Sequence, residues 1–76
     1  MNNSILKVFG IRIKAIRLQR GLSQEQLGLI AELDRTYISG IERGLRNVSL
    51  INLERLAIAL NTEPSELLRF DEPNNV

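Results

Sequence analysis

The sequence contains no cysteine, no histidine and no tryptophan. Without cysteine there is no disulfide and no thiolate-metal staple, and without histidine the commonest metal ligand and general base is gone. Both absences argue against an enzyme and fit a reducing cytoplasm. No apolar run approaches the ~20 residues of a membrane span, and the start Met1-Asn2-Asn3-Ser4 lacks the basic segment of a secretory signal. The expectation is a soluble intracellular protein with no membrane partner, cofactor, metal or small-molecule substrate. Aromatics are scarce as well, at two Phe and one Tyr, so any core has to be aliphatic.

Leu and Ile fill that gap, and they recur at helical spacings. Seventy-six residues suffice for one domain, and a chain of this size buries only about 60% of the surface its unfolded form exposes. An all-α fold follows. Leu6, Phe9, Ile13 and Ile16 bring one apolar stripe together and predict a first helix from about Ile5 to Arg20. Gly10 sits inside it at a cost of about 1 kcal/mol relative to Ala. Gly21 suits a left-handed cap, and Ser23 with Gln26 three residues on has the spacing of a capping box. A short second helix, Gln24 to Ala31, is expected to turn Leu27, Ile30 and Ala31 inward, while Gly28 admits another backbone.

Asp34 is a good N-cap for a third helix, Arg35 to Arg43, which Gly44 terminates. Ser49 opens a fourth, Leu50 to Leu60, with Leu50, Leu53, Leu56, Ala57 and Leu60 as its inward face. Pro64 suits the first turn of a fifth that reaches about Phe70. Residues 1–70 therefore read as one domain, and 71–76 as a frayed tail.

Net charge is only +1, but the charge is unevenly placed. Residues 1–46 carry eight basic side chains against four acidic ones, and residues 47–76 two against five. A basic half joined to an acidic half suggests one face for phosphates and another kept from them. The plainer alternative is two ordinary solvated surfaces.

The third helix decides between these. Only Ile38 and Ile41 anchor it, while Arg35, Thr36, Tyr37, Ser39, Gly40 and Arg43 are polar, amphipathic or small. Two short helices joined by a tight turn, the second polar outside, fit a DNA major groove about 12 Å wide. Residues at the start of such a helix reach base edges. Arg35 can present two donors to guanine, and Thr36 a methyl or hydroxyl to thymine. Tyr37 suits a phosphate or base contact, and Ser39 and Arg43 mixed contacts one turn apart. Flanking phosphate clamps are expected from Gln24, at the start of the second helix, and from Arg46 and Asn47 beyond Gly44. Each has a plainer alternative: Gln24 as a cap neighbour, Arg46 as a solvated charge, Tyr37 as a packed ring.

At Ile13-Lys14-Ala15-Ile16-Arg17, Gly21-Leu22-Ser23-Gln24-Glu25-Gln26-Leu27, Tyr37-Ile38-Ser39-Gly40-Ile41-Glu42-Arg43-Gly44 and Ser49-Leu50-Ile51-Asn52-Leu53 the chain resembles the phage-repressor or Xre-type helix-turn-helix family. The run Leu33 to Arg43, followed by Arg46-Asn47, looks most like the controller proteins of restriction-modification systems. The resemblance implies a lambda-repressor-like five-helix domain with its helix-turn-helix at helices two and three. It implies an ion pair between Arg17 and Glu42, recognition by Arg35, Thr36, Tyr37 and Ser39, and backbone contacts by Gln24, Arg43, Arg46 and Asn47. Two departures stand out: Gly28 replaces the usual alanine, and Glu32 occupies a turn position commonly held by glycine, where a positive φ is strained.

A module reading four or five base pairs needs a second copy, with half-sites about 34 Å apart, to find one site in a genome. Ile51, Arg55, Ile58, Leu68 and Phe70 are the candidate dimer interface, unless several of them complete the core. The implied partners are a double-stranded DNA operator, a second copy and, for activation, RNA polymerase. The competing reading is an antitoxin that inhibits a toxin and regulates its own operon. An enzyme is a third, resting only on Glu63 and Glu66 near a helix start, where acids usually serve the helix dipole.

Overall fold

A computed structural model describes residues 4–70. Among them the chain forms five helices and no strand: α1 (Ser4–Gln19), α2 (Gln24–Ala31), α3 (Arg35–Glu42), α4 (Leu50–Ala59) and α5 (Pro64–Leu67). The tail expected at 71–76 lies outside the described residues.

Side-chain chemistry sets the helix starts. Ser23 Oγ accepts the Gln26 N–H at 3.0 Å while Gln26 Oε1 accepts the Ser23 N–H at 2.8 Å, a complete capping box. Asp34 and Ser49 cap α3 and α4 by accepting the backbone N–H of Thr36 and Asn52. The ends of α1 to α4 share one device: a residue in the left-handed region, at Gly21, Glu32, Gly44 and Asn61. The next N–H then folds back onto the helix, from Leu22 to the Arg17 carbonyl, Leu33 to Gly28, Leu45 to Gly40 and Thr62 to Ala57.

The core is aliphatic with a single Phe: Phe9, Ile13 and Ile16 of α1, Leu27 and Ala31 of α2, Ile38 and Ile41 of α3, Leu53, Leu56, Ala57 and Leu60 of α4 and its cap, and Leu67 of α5. Each buried Leu or Ile contributes about 1.5–3 kcal/mol. Three expected core residues are outside it. Leu6 is half-buried at the rim of an apolar pocket, one turn before Phe9. Ile30 is 55% exposed, because α2 turns Leu27, Gly28 and Ala31 inward, with Gly28 against the Leu33 carbonyl, which leaves Ile30 on the outer side. Leu50 is 81% exposed, since the first residue of α4 falls at the flank of the Leu53-Leu56-Ala57-Leu60 stripe. Leu67, which periodicity did not single out, is fully buried.

Gly10 owes its place to α3. A Cβ there would overlap the carbonyl oxygens of Ile41 and Glu42, so the two helix backbones touch at this point. The penalty for glycine inside α1 is thus the cost of bringing α3 against it.

Arg12 of α1 and Arg20, just past its end, staple the bundle. Arg12 Nε donates to the Glu66 carbonyl at 2.8 Å and its Nη2 pairs with the Glu66 carboxylate at 3.3 Å. Arg20 Nε donates to the Leu60 carbonyl at 2.7 Å. Glu66, whose carboxylate also lies 3.6 Å from Arg69, thereby fixes α5 to α1.

Candidate nucleic-acid interface

The outward face of α3 is held in place from behind. Arg17 Nε donates to Glu42 Oε2 at 2.6 Å and its Nη2 to Oε1 at 3.0 Å, a two-pronged pair between α1 and α3. The side chains are only 8% and 3% exposed. Arg17 Nη1 donates to the Leu22 carbonyl at 2.8 Å, and Gln24 Nε2 donates to Glu42 Oε1 at 3.0 Å. One buried carboxylate therefore ties together the end of α3, the last turn of α1 and the start of α2. Its hydrogen bond to Arg17, ahead of their charge attraction, raises the guanidinium pKa further above its ordinary range against the opposing effect of burial. The amide of Gln24, expected at a phosphate, already spends one donor on Glu42.

With Ile38 and Ile41 buried, 3.6 residues per turn places Arg35, Thr36, Ser39 and Arg43 together on the opposite side of α3. Arg35, Thr36 and Arg43 are exposed and Ser39 is half-buried. The Thr36 hydroxyl donates to Asp34 Oδ1 at 3.1 Å, which ties its side chain to the cap of α3. Among the described residues no ion pair engages Arg35 or Arg43, so both guanidinium groups keep donors for a ligand.

Tyr37 stands apart from this row. It is half-buried against the core, and its hydroxyl accepts from Asn52 Nδ2 at 3.1 Å. The Arg46 guanidinium lies over its ring, 5.6 Å from the centroid. Asn47 is exposed beside it. The alternative of Tyr37 as a packed ring and the expected clamp role of Arg46 thus meet in one contact. Asn52 carries no sequence signal of this role, since nothing in its spacing connects it to Tyr37.

The turn between α2 and α3 passes through Glu32 at φ 59°, the strained left-handed conformation anticipated for it. A Cβ at Gly28 would stand 2.5 Å from the Leu33 carbonyl. Glycine in place of alanine lets this turn close tightly.

The five candidate dimer residues fall into two patches. Ile51, 67% exposed, and Ile58, 72% exposed, share the outward side of α4 with Arg55 between them, whose guanidinium reaches the Glu32 carbonyl at 3.4 Å. Leu68 and Phe70 instead border an apolar pocket with Ile5, Leu6 and Leu50, and Phe70 packs partly onto the core.

A capped pair of short helices, the second pinned by a buried ion pair and presenting a row of polar donors, defines a helix-turn-helix domain. The family model described as helix-turn-helix matches residues 13–67, and the chain belongs to that family, of the Xre type. It is 47% identical over 76 residues to control protein C.BamHI of Bacillus amyloliquefaciens, covering 99% of this chain and 94% of that protein. It is 47% identical over 66 residues to control protein C.MunI of a Mycoplasma species, covering 86% and 89%. The crystal structure of the restriction-modification controller protein C.AhdI from Aeromonas hydrophila superimposes with a TM-score of 0.81 at 53% identity, covering 82% of this chain and 94% of that one. Among the described residues no helix is long and apolar enough to cross a membrane.

Proposed function

We propose that this protein is a sequence-specific DNA-binding transcription regulator, a controller protein of a restriction-modification system that binds its own promoter region as a dimer. The observation that carries the reading is the polar row on α3, with the free guanidinium groups of Arg35 and Arg43 outermost and the buried Arg17–Glu42 pair behind it. Similarity to control proteins over nearly the whole chain supports the controller assignment.

In this reading Arg35, Thr36 and Ser39 read base edges. Arg43, Arg46, Asn47 and the start of α2 at Gln24 hold phosphates, and Tyr37 acts at the edge between the two groups. Two copies associate through the α4 face of Ile51, Arg55 and Ile58, with Leu68 and Phe70 as a second, separate contact. The sign of regulation follows from where the dimer sits, with activation running through RNA polymerase.

Selection of bound duplexes from a random DNA pool tests this. A two-fold symmetric motif with half-sites about 34 Å apart is expected. Folded protein that enriches nothing overturns the reading. Ile58→Asp is expected to give folded monomers in analytical ultracentrifugation, and an unchanged dimer mass removes Ile58 from the interface.

A further inference from the structure

Gly40 is buried, yet it does not lie under the core residues of α3. The three atoms nearest to a Cβ built there all belong to Arg46: Cγ at 3.0 Å, Nε at 3.2 Å and Cδ at 3.6 Å. The reversal at Gly44, closed by the Leu45 N–H on the Gly40 carbonyl at 2.9 Å, sends the chain back along α3. The stem of Arg46 then crosses Gly40, and its guanidinium comes to rest over Tyr37. Tyr37 is itself held by the amide of Asn52, whose backbone N–H is fixed by Ser49 Oγ at 3.1 Å.

We propose that Gly40, Tyr37 and Asn52 form a cradle that fixes the Arg46 guanidinium along α3 for a DNA phosphate, which makes Gly40 and Asn52 positioning residues of the interface. The inference rests on the DNA-binding reading above. A long exposed arginine otherwise loses rotamer freedom when it binds, and a side chain already laid along its groove loses less. Glycine is the residue that leaves room for the stem. Alanine would favour the helix, so the loss of a methyl group here serves the contact and not the fold.

The experiment compares the wild-type protein, Gly40→Ala, Arg46→Ala and the double variant. Each is titrated by fluorescence anisotropy against the duplex that the wild type selects, at two salt concentrations. Gly40→Ala is expected to keep or raise thermal stability and to weaken binding about two- to fivefold, the scale of an exposed cation–π contact. Arg46→Ala is expected to weaken binding and to lower the salt slope by about one. In the Arg46→Ala background, Gly40→Ala is expected to change nothing, because the stem it would displace is absent. An equal loss from Gly40→Ala in both backgrounds would mean that the glycine serves something other than Arg46, and the cradle is overturned.

Proton NMR of the DNA-free protein separates this proposal from the reading beneath it. The Arg46 side-chain protons are expected to be shifted upfield by the Tyr37 ring, and the shift to shrink in Gly40→Ala and in Asn52→Ala. Wild-type protons at random-coil positions overturn the cradle whatever the DNA result. The upfield shift present, with no duplex selected, overturns the DNA reading and with it the cradle's purpose.

Discussion

The arginines of α1 and the turn after it, and those of α3 with its following loop, are the same residue type put to opposite uses. Arg12, Arg17 and Arg20 each end on an acceptor belonging to another part of the fold: the Glu66 carbonyl and carboxylate, the Glu42 carboxylate, and the Leu60 carbonyl. Arg35 and Arg43 end in solvent on one side of a helix, and Arg46 lies along that helix without being neutralised. A guanidinium that finds a fixed carbonyl or carboxylate within reach becomes a staple, and one that does not stays available to a phosphate. The basic balance of residues 1–46 therefore overstates the donors offered to DNA, since three of its eight cations already donate to acceptors of the fold.

The largest test of this division is Arg17→Ala. It leaves Glu42 buried with its main partner gone, so a loss of about 3–5 kcal/mol in urea unfolding is expected. For a small domain that is a large part of the total stability. A loss under about 1 kcal/mol would show that α1 and α3 do not depend on the pair.

Arg35→Ala probes the other class. Stability is expected to stay within about 0.5 kcal/mol of wild type, as for an exposed substitution away from special features. Discrimination at one base position is expected to fall by about 1–3 kcal/mol in competition binding. A uniform weakening on all sequences would move Arg35 into the phosphate-binding class.

Between these lies Arg20→Met, which keeps a long apolar stem but removes the hydrogen bond to Leu60. It is expected to cost about 1 kcal/mol of stability and to leave the salt slope of DNA binding unchanged. A flatter slope would place Arg20 among the phosphate contacts and blur the division.

Much of this was legible in the sequence, and the part that was not has a common cause. The boundaries of α1 to α4 came through because caps are written in side chains: Ser23 with Gln26, Asp34 and Ser49 mark starts, and Gly21 and Gly44 ends. Pro64 marked the start of α5, but that helix stops at Leu67 and does not reach Phe70, since no capping residue in the sequence sets its end. The outward row of α3 followed from having only Ile38 and Ile41 to anchor it. Of the inward arginines only Arg17 followed, through the resemblance that pairs it with Glu42. Arg12 and Arg20 did not, because they donate to main-chain carbonyls at Glu66 and Leu60, which every residue carries and no letter announces. Periodicity likewise gives the side of a helix but not how far a neighbour covers it, which is why Ile30 and Leu50 were placed inside. Gly10 read as a cost within α1 until α3 was seen against it. The Arg46–Tyr37–Asn52 arrangement depends on the path of the chain after Gly44, which composition does not encode.

The acidic residues divide in the same way, and the smallest test concerns them. Glu42 is buried and ties three helices together, whereas Glu32 is exposed in the turn of the helix-turn-helix at φ 59°. Its backbone carries the function there: the Leu33 N–H closes on Gly28 at 2.8 Å, and the Glu32 carbonyl receives Arg55. Neither contact uses the carboxylate. Glu32→Gly keeps both while relieving a conformation that costs a non-glycine residue roughly 1 kcal/mol. Part of that gain is offset by the greater freedom of glycine in the unfolded chain. The net expectation is a rise of up to about 0.5 kcal/mol in urea unfolding, with slightly tighter DNA binding that fades as salt screens the removed charge. Tighter binding that persists at high salt would instead assign the gain to a better-set turn, and a loss of stability would mean that the Glu32 side chain makes the turn in a way its exposure conceals.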